Sequence, residues 1–446
     1  MERYVLYLLL VLSGVGLNLL GPRLWKRPWT SWLFLGLPAL AMIWFLLEVT
    51  DCPWFKDFGG AYYPAGRLVL ERPSWLYKSN CILGYVNIPI VALLFLPLSR
   101  LQYSTAVAAF TVLGAAFVAA ACCAILRLTG ARGWRRSALI GSFAMNGPLF
   151  YSIKEGNSSH FFLLVFVLLF FLVEKKREFA VGSLIAVSTL IKIPIGLLGV
   201  YFLFRRRWRV LAGLGVTLTV ALGASLWLSG VAVHLAWIQH CVWPYVGKPM
   251  AAFNVQSVDA FLARLMTDGN VLNWSPLTMG PEFIVARQAL IGALLFLVLG
   301  VLWRSGSPRT IREEYLEISI MIPTLLIVFP VSWTHYYLLL LLPFALYLGN
   351  RIDVPDRKAW HACMFLTLLA VSPPLLRIQP ESPVLEYIVF KFLYSHYFLG
   401  ACATLGLLLA ARLRISPRGA VISAGRHYSP TVPSVELPRA RTQQAR

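Results

Sequence analysis

The chain has 446 residues, of which 58% are hydrophobic and 13% charged, and its mean hydropathy is +0.70. A soluble domain carries about 25% charged residues, so the composition excludes an ordinary soluble globule and indicates a polytopic membrane protein. The net charge of +21 does not point to nucleic acid. Its arginines cluster in short loops and the tail, where positive-inside bias and anionic headgroups account for them, and no folded basic face with aromatic platforms is visible.

Apolar runs occupy residues 4–20, 32–49, 104–127, 137–153, 159–173, 179–204, 210–229, 286–303, 315–331, 336–349, 359–373 and 393–411. The first is not followed by a small-residue cleavage site and reads as a retained helix. Basic punctuation marks the cytoplasmic side: Arg23 to Arg27, Arg132 to Arg136, Lys175 to Arg177, Arg205 to Arg209, Arg304 to Arg312, Arg351 to Lys358 and Arg412 to Arg418. The alternate connections, 50–103, 154–158, 230–285, 332–335 and 374–392, then face outward. This alternation requires that the short run 86–100, bracketed by Pro89 and Pro97, does not span. It reads as re-entrant or interface-lying. The expected architecture is an all-α integral membrane bundle of about 12–13 helices over residues 1–411, with outer loops 50–103 and 230–285. Residues 412–446, rich in Pro, Ser and Arg, form a disordered cytoplasmic tail.

Seven cysteines, at 52, 81, 122, 123, 241, 363 and 402, show no metal-ligand spacing. Cys52 and Cys81 share one outer loop and can pair; the spacing leaves this open. No outer-face cluster of Asp, Glu and His has ligand spacing either, so no metal is expected.

Five outward-facing segments carry polar groups. In DFGGAYYPAGRLVLERPSWLYK, 57–78, Asp57 stands at the membrane boundary beside Tyr62 and Tyr63. A carboxylate there is either a general base for an acceptor hydroxyl or the cap of the helix beginning near Gly60. In NGPLFYSIKEGNSSHFFLL, 146–164, a turn offers Lys154, Glu155, Asn157, Ser159 and His160, either as ligands for a hydroxylated substrate or as an ordinary hairpin turn. The stretch 179–204 holds Lys192 among uncharged neighbours, two residues before Pro194, and is basic at both ends. Both ends are therefore cytoplasmic. The economical solution is two short helices meeting near Lys192, which puts a cation in the outer half of the membrane. That cation binds a phosphate or snorkels to the far interface. FNVQSVDAFLARL, 253–265, supplies Asn254 and Arg264, and FPVSWTHYYLLLLLP, 329–343, places Trp333, His335 and Tyr336 at a membrane rim, where Trp and Tyr are routine interfacial anchors. All five segments fall on one predicted side, whereas structural accidents would scatter over both.

In this order the segments resemble the polyprenyl-phosphate-sugar-dependent glycosyltransferases of family 87, in the GT-C superfamily, whose bacterial members include mannosyl- and arabinofuranosyltransferases. The resemblance runs over roughly 50–350 and is carried by DF…YYPAG…LY, IPIVALLFLPLSRL, LIKIP with the RRRWR that follows, and VSWTHYYLLLLLP. It implies a GT-C-type bundle in the bacterial inner membrane with its active site on the periplasmic face. The donor is a polyprenyl-phosphate sugar, most simply mannose, and the acceptor a lipid or glycan, with membrane lipids the only other partners and no cofactor. The family's catalytic aspartate maps to Asp57, with Asp51 a minor rival. Lys192, with His335 or Arg264, would hold the leaving phosphate, and Tyr62, Tyr63, Asn157, Ser159, His160, Asn254 and Trp333 would contact substrate. The family's Gly-Gln-x-Asn turn corresponds to Gly156-Asn157-Ser158-Ser159, a departure that bears on substrate identity. A transporter or flippase for lipid-linked sugars is the alternative, since it also wants a broken helix and a buried cation. Against it, the sequence has no internal inverted repeat.

Overall fold

Long Ala-, Leu- and Val-rich stretches satisfy their backbone groups internally only as helices, the condition for crossing a bilayer. The computed structural model describes residues 54–78, 84–267, 271–374 and 382–415. Over these residues the regular elements are helices, joined by irregular loops, with one isolated antiparallel bridge between Val255 and Trp333. The apolar runs 4–20 and 32–49, Asp51, Cys52, Cys81 and the tail beyond 415 lie outside the described residues.

The helices are α1 (Tyr63–Glu71), α2 (Tyr103–Thr129), α3 (Trp134–Ala144), α4 (Gly147–Glu155), α5 (Phe161–Glu174), α6 (Glu178–Ile191), α7 (Leu197–Phe204), α8 (Trp208–Trp237), α9 (Val258–Met266), α10 (Pro281–Arg304), α11 (Ile311–Val328), α12 (Leu341–Leu348), α13 (Lys358–Val371), α14 (Pro383–Lys391) and α15 (His396–Ile415). Among the described residues, four helical stretches are long and apolar enough to cross a membrane: α2, α8 with its continuation to Tyr245, α10, and Pro383–Ile415. Most other predicted runs are shorter apolar helices. The run 137–153 breaks in two because Asn146 caps α4, accepting from Leu149 N, with Pro148 in the first turn. The run 86–100 forms only Pro89–Ser99, in agreement with a non-spanning segment. Helix α8 outruns its predicted end: Gly230, at φ +77, kinks it without ending it, and the helix resumes to Trp237. Helix α11 is the axis of the bundle, with Tyr315 through Ile327 all buried.

Charge separates the two ends of the bundle. At one end Glu317, wholly buried, accepts from Arg205 at 2.6 Å, Arg412 at 2.8 Å and Tyr201 at 3.0 Å. Nearby, Arg207 joins Glu178 at 2.8 Å to Glu314 at 3.1 Å, and Arg351 reaches Glu174 at 2.6 Å. For Glu317 the two arginines neutralise a carboxylate that would otherwise be costly away from water. The Glu178–Arg207 pair has a topological meaning. Residues 178 and 207 bracket the α6–α7 stretch, so the chain rises, breaks and returns to the end it left. Lys192 sits at the break, with non-helical φ −137° and ψ 90°, at the end of the bundle opposite the ion pairs. The hairpin expected from the flanking basic residues is present.

Candidate active site

Opposite the ion-pair end, two irregular segments pack backbone to backbone. Phe55 N donates to Lys154 O at 2.8 Å, which ties the entry to α1 onto the end of α4. Phe55 adopts φ +62°, a conformation unfavourable for a bulky residue. Across from it Gly156 ends α4 at φ +65°, where only glycine is relaxed. The turn then runs through Asn157 in extended conformation into a 3-10 turn at Ser158–His160.

This contact brings Asp57 to Asn157. Asp57 precedes a π-helical turn, Phe58–Tyr62, but makes no side-chain cap bond. Its Oδ2 accepts instead from Asn157 Nδ2 at 2.5 Å. Capping was one of the two readings of Asp57, and the carboxylate does not perform it. Asn157 Oδ1 in turn accepts from Lys192 Nζ at 3.1 Å, and from Ser159 N and Oγ at 3.0 and 2.8 Å. The Lys192 ammonium also lies 4.5 Å from the centre of the Tyr336 ring and 3.5 Å from its hydroxyl. Tyr62 completes the cluster: its hydroxyl is 3.4 Å from Asn157 Nδ2 and 3.3 Å from Ser158 Oγ, with its ring stacked on Phe95 at 4.4 Å. Burial raises the Asp57 carboxyl above its ordinary range, opposed by the Asn157 hydrogen bond and then by the charges of Lys192 and Lys56. Glu155 is pushed up to about 7 by burial and then by the Asp57 carboxylate. Two carboxyls at one buried turn thus resist ionising together.

His335 is 4% exposed, and neither ring nitrogen has a hydrogen-bond partner. It is stacked between Tyr151, at 6.1 Å, and Trp333, at 6.4 Å, with Tyr336 against its edge at 5.0 Å. Buried polar atoms are normally satisfied, so an orphaned imidazole beside a cation is suited to an incoming acceptor oxygen. Asn254 supports this wall, donating to Tyr151 Oη at 3.3 Å and accepting from Trp274 Nε1 at 2.9 Å.

Three predicted residues stand apart. Tyr63, next in sequence to Tyr62, points elsewhere on the helix and donates to Leu101 O at 2.8 Å. His160 is bonded to Ser152 Oγ at 3.0 Å and turned toward α2, where a Cβ on Gly114 would lie 2.4 Å from its Nε2. Arg264, 2% exposed, donates to Ala252 O at 3.0 Å, Val255 O at 2.9 Å and Ser395 Oγ at 3.1 Å. It braces the loop that carries Asn254 through Nε and Nη1, while its buried Nη2 has no hydrogen-bond partner.

Sequence reasoning missed Tyr151, and it gave Glu155 and Tyr336 no part beyond the polar turn and the membrane rim. The available signal was spacing, since Tyr151 and Glu155 flank the polar turn on a short helix. Among the described residues no group of three His, Cys, Asp or Glu side chains is placed to hold a metal ion. Cys241, just beyond α8, is disulfide-bonded and packs against the aromatic cluster that contains Phe58 and Tyr62.

The sequence model of glycosyltransferase family 87 matches residues 85–330, more than half of the chain. The match takes in the Asn157 turn, the Lys192 hairpin and Asn254, while Asp57 lies well before its start and His335 just after its end. No curated protein and no solved structure matches the chain.

Proposed function

The chain belongs to glycosyltransferase family 87, and from that premise we propose that it moves a sugar, mannose by the resemblance, from a polyprenyl-phosphate carrier to a lipid or glycan acceptor on the outer face of the bacterial inner membrane. The observation that carries this reading is the linked set Asp57–Asn157–Lys192, a buried carboxylate and a buried ammonium joined by one amide. Asp57 takes the proton of the acceptor hydroxyl as its oxygen attacks the anomeric carbon. The bond from that carbon to the phosphate oxygen breaks, and the polyprenyl phosphate leaves with the electron pair, so the anomeric centre inverts. Lys192 and an N–H of His335 receive the phosphate charge, a form of stabilisation worth most in a site closed to water. A carboxyl whose affinity for protons is raised by burial suits the part of the base.

Two observations support the sidedness. The arginine-rich end of the bundle is the cytoplasmic one by the distribution of charge, and Asp57 is at the other. The disulfide at Cys241 belongs to the same end as Asp57, and disulfides persist in oxidising compartments.

The test is to incubate the purified protein in lipid with radiolabelled polyprenyl-phosphate sugars and an extract of membrane lipids. Label from the mannose donor should pass to an extractable acceptor. Transfer from nucleotide sugars and from no lipid-phosphate sugar would overturn the donor class.

A further inference from the structure

We propose that Asn157 is the positioning residue of the site: its amide fixes the Asp57 carboxylate at the reacting hydroxyl and holds Lys192 at the phosphate while keeping the two charges from pairing directly. This inference rests on the glycosyl-transfer reading above. Asn157 is 4% exposed and its amide is over-determined. The Nδ2 side faces two acceptors, Asp57 Oδ2 at 2.5 Å and Tyr62 Oη at 3.4 Å. The Oδ1 side faces three donors, Lys192 Nζ at 3.1 Å, Ser159 N at 3.0 Å and Ser159 Oγ at 2.8 Å. Turning the amide by half a rotation would set its hydrogens against an ammonium and a backbone N–H, and its oxygen against a carboxylate. The orientation therefore has one solution.

The arrangement solves a difficulty of the chemistry. A carboxylate in direct contact with an ammonium is held ionised but is a poor base, and the ammonium is spent on it. With a neutral amide between them, the carboxylate keeps a charge-assisted hydrogen bond and the ammonium keeps hydrogens for a phosphate. The other groups around Asp57 do not supply this bond. Lys56 is its chain neighbour, Glu155 adds like charge from the end of α4, and Tyr62 and Tyr336 approach from α1's entry and from the turn before α12. Among the described residues the side chain that donates to the carboxylate is that of Asn157.

Removing the amide leaves burial opposed only by the charges of Lys192 and Lys56, so Asp57 should hold its proton to higher pH. The measurement is an infrared pH titration of the carboxyl band in lipid nanodiscs, with the Asp57 contribution identified by its absence in Asp57→Asn. In Asn157→Leu, or the smaller Asn157→Ala should the first not fold, the midpoint should rise by about 1 to 2 pH units, the scale of one hydrogen bond to a charged group. Asn157→Gln, which keeps an amide, should move it less. In parallel, sugar transfer from polyprenyl-phosphate mannose by Asn157→Leu should fall at neutral pH and recover in part as the pH is raised, which a merely misfolded site would not do. An unmoved midpoint in both variants overturns the proposal, whatever the activity. A raised midpoint together with a parent protein that transfers no sugar leaves the amide's hold on Asp57 standing and overturns the transferase reading instead.

Discussion

Phe58 and Gly156 meet so closely that a Cβ on residue 156 would lie 2.7 Å from Phe58 Cβ and 3.0 Å from Phe55 Cδ1. The contact sets the distance between the segment that carries Asp57 and the turn that carries Asn157. Gly156→Ala would add this clash to a backbone at φ +65°, where any other residue costs about 1–2 kcal/mol. Transfer should fall at least tenfold and the unfolding temperature by several degrees. Parental values for both would mean that the two segments are not held in register by this contact.

Lys192→Met removes the charge and keeps most of the bulk, so donor binding should weaken by an order of magnitude or more while the protein still folds. Lys192→Arg should keep part of the activity, since the charge persists and the geometry shifts. Binding of polyprenyl-phosphate mannose to the variants in nanodiscs is the measurement, and parental affinity in Lys192→Met would make the residue structural.

His335 and Arg264 should separate cleanly. His335 makes no hydrogen bond within the protein, so His335→Phe, which preserves the stack between Tyr151 and Trp333, should leave thermal stability within about 1 kcal/mol and weaken donor binding about tenfold. Arg264→Leu abandons two buried carbonyls and Ser395 and should cost about 2–4 kcal/mol. The opposite pattern, a stable Arg264 variant that no longer binds donor, would return Arg264 to the phosphate.

Orientation is open to direct labelling. Ser74 is exposed, in the turn after α1. A cysteine placed there should react with an impermeant maleimide in intact cells, and labelling only after lysis would invert the assignment.

Much of this was legible in the sequence. The hairpin at Lys192 followed from basic residues at both ends of one apolar stretch and a proline at its middle, because charge and ring geometry act locally. That the segments of Asp57, Asn157, Lys192 and His335 share one end followed from sidedness, while their shared role was implied by the family resemblance. What was hidden depends on remote backbone. Tyr62 and Tyr63 read alike, yet neighbours on a helix point about 100° apart, and only one of them faces Asn157. The hold of Arg264 on the carbonyls of Ala252 and Val255 cannot be seen in a pattern of side chains. Among the described residues four helical stretches reach full spanning length, and hydropathy alone does not separate these from the shorter apolar helices.

The central claim is that Asp57 is the base. Burial raises its carboxyl above the usual range, and only the ionised form accepts a proton. Transfer should therefore decline as the pH falls through that elevated value and hold level above it. Asp57→Asn is nearly isosteric and cannot take the proton. Rates of transfer from polyprenyl-phosphate mannose, compared for the parent, Asp57→Asn and Asp51→Asn, test the claim most directly. The account predicts a loss of about 100-fold or more in Asp57→Asn, with expression and donor binding retained, and near-parental transfer in Asp51→Asn. Near-parental transfer in Asp57→Asn, with or without loss in Asp51→Asn, would contradict it.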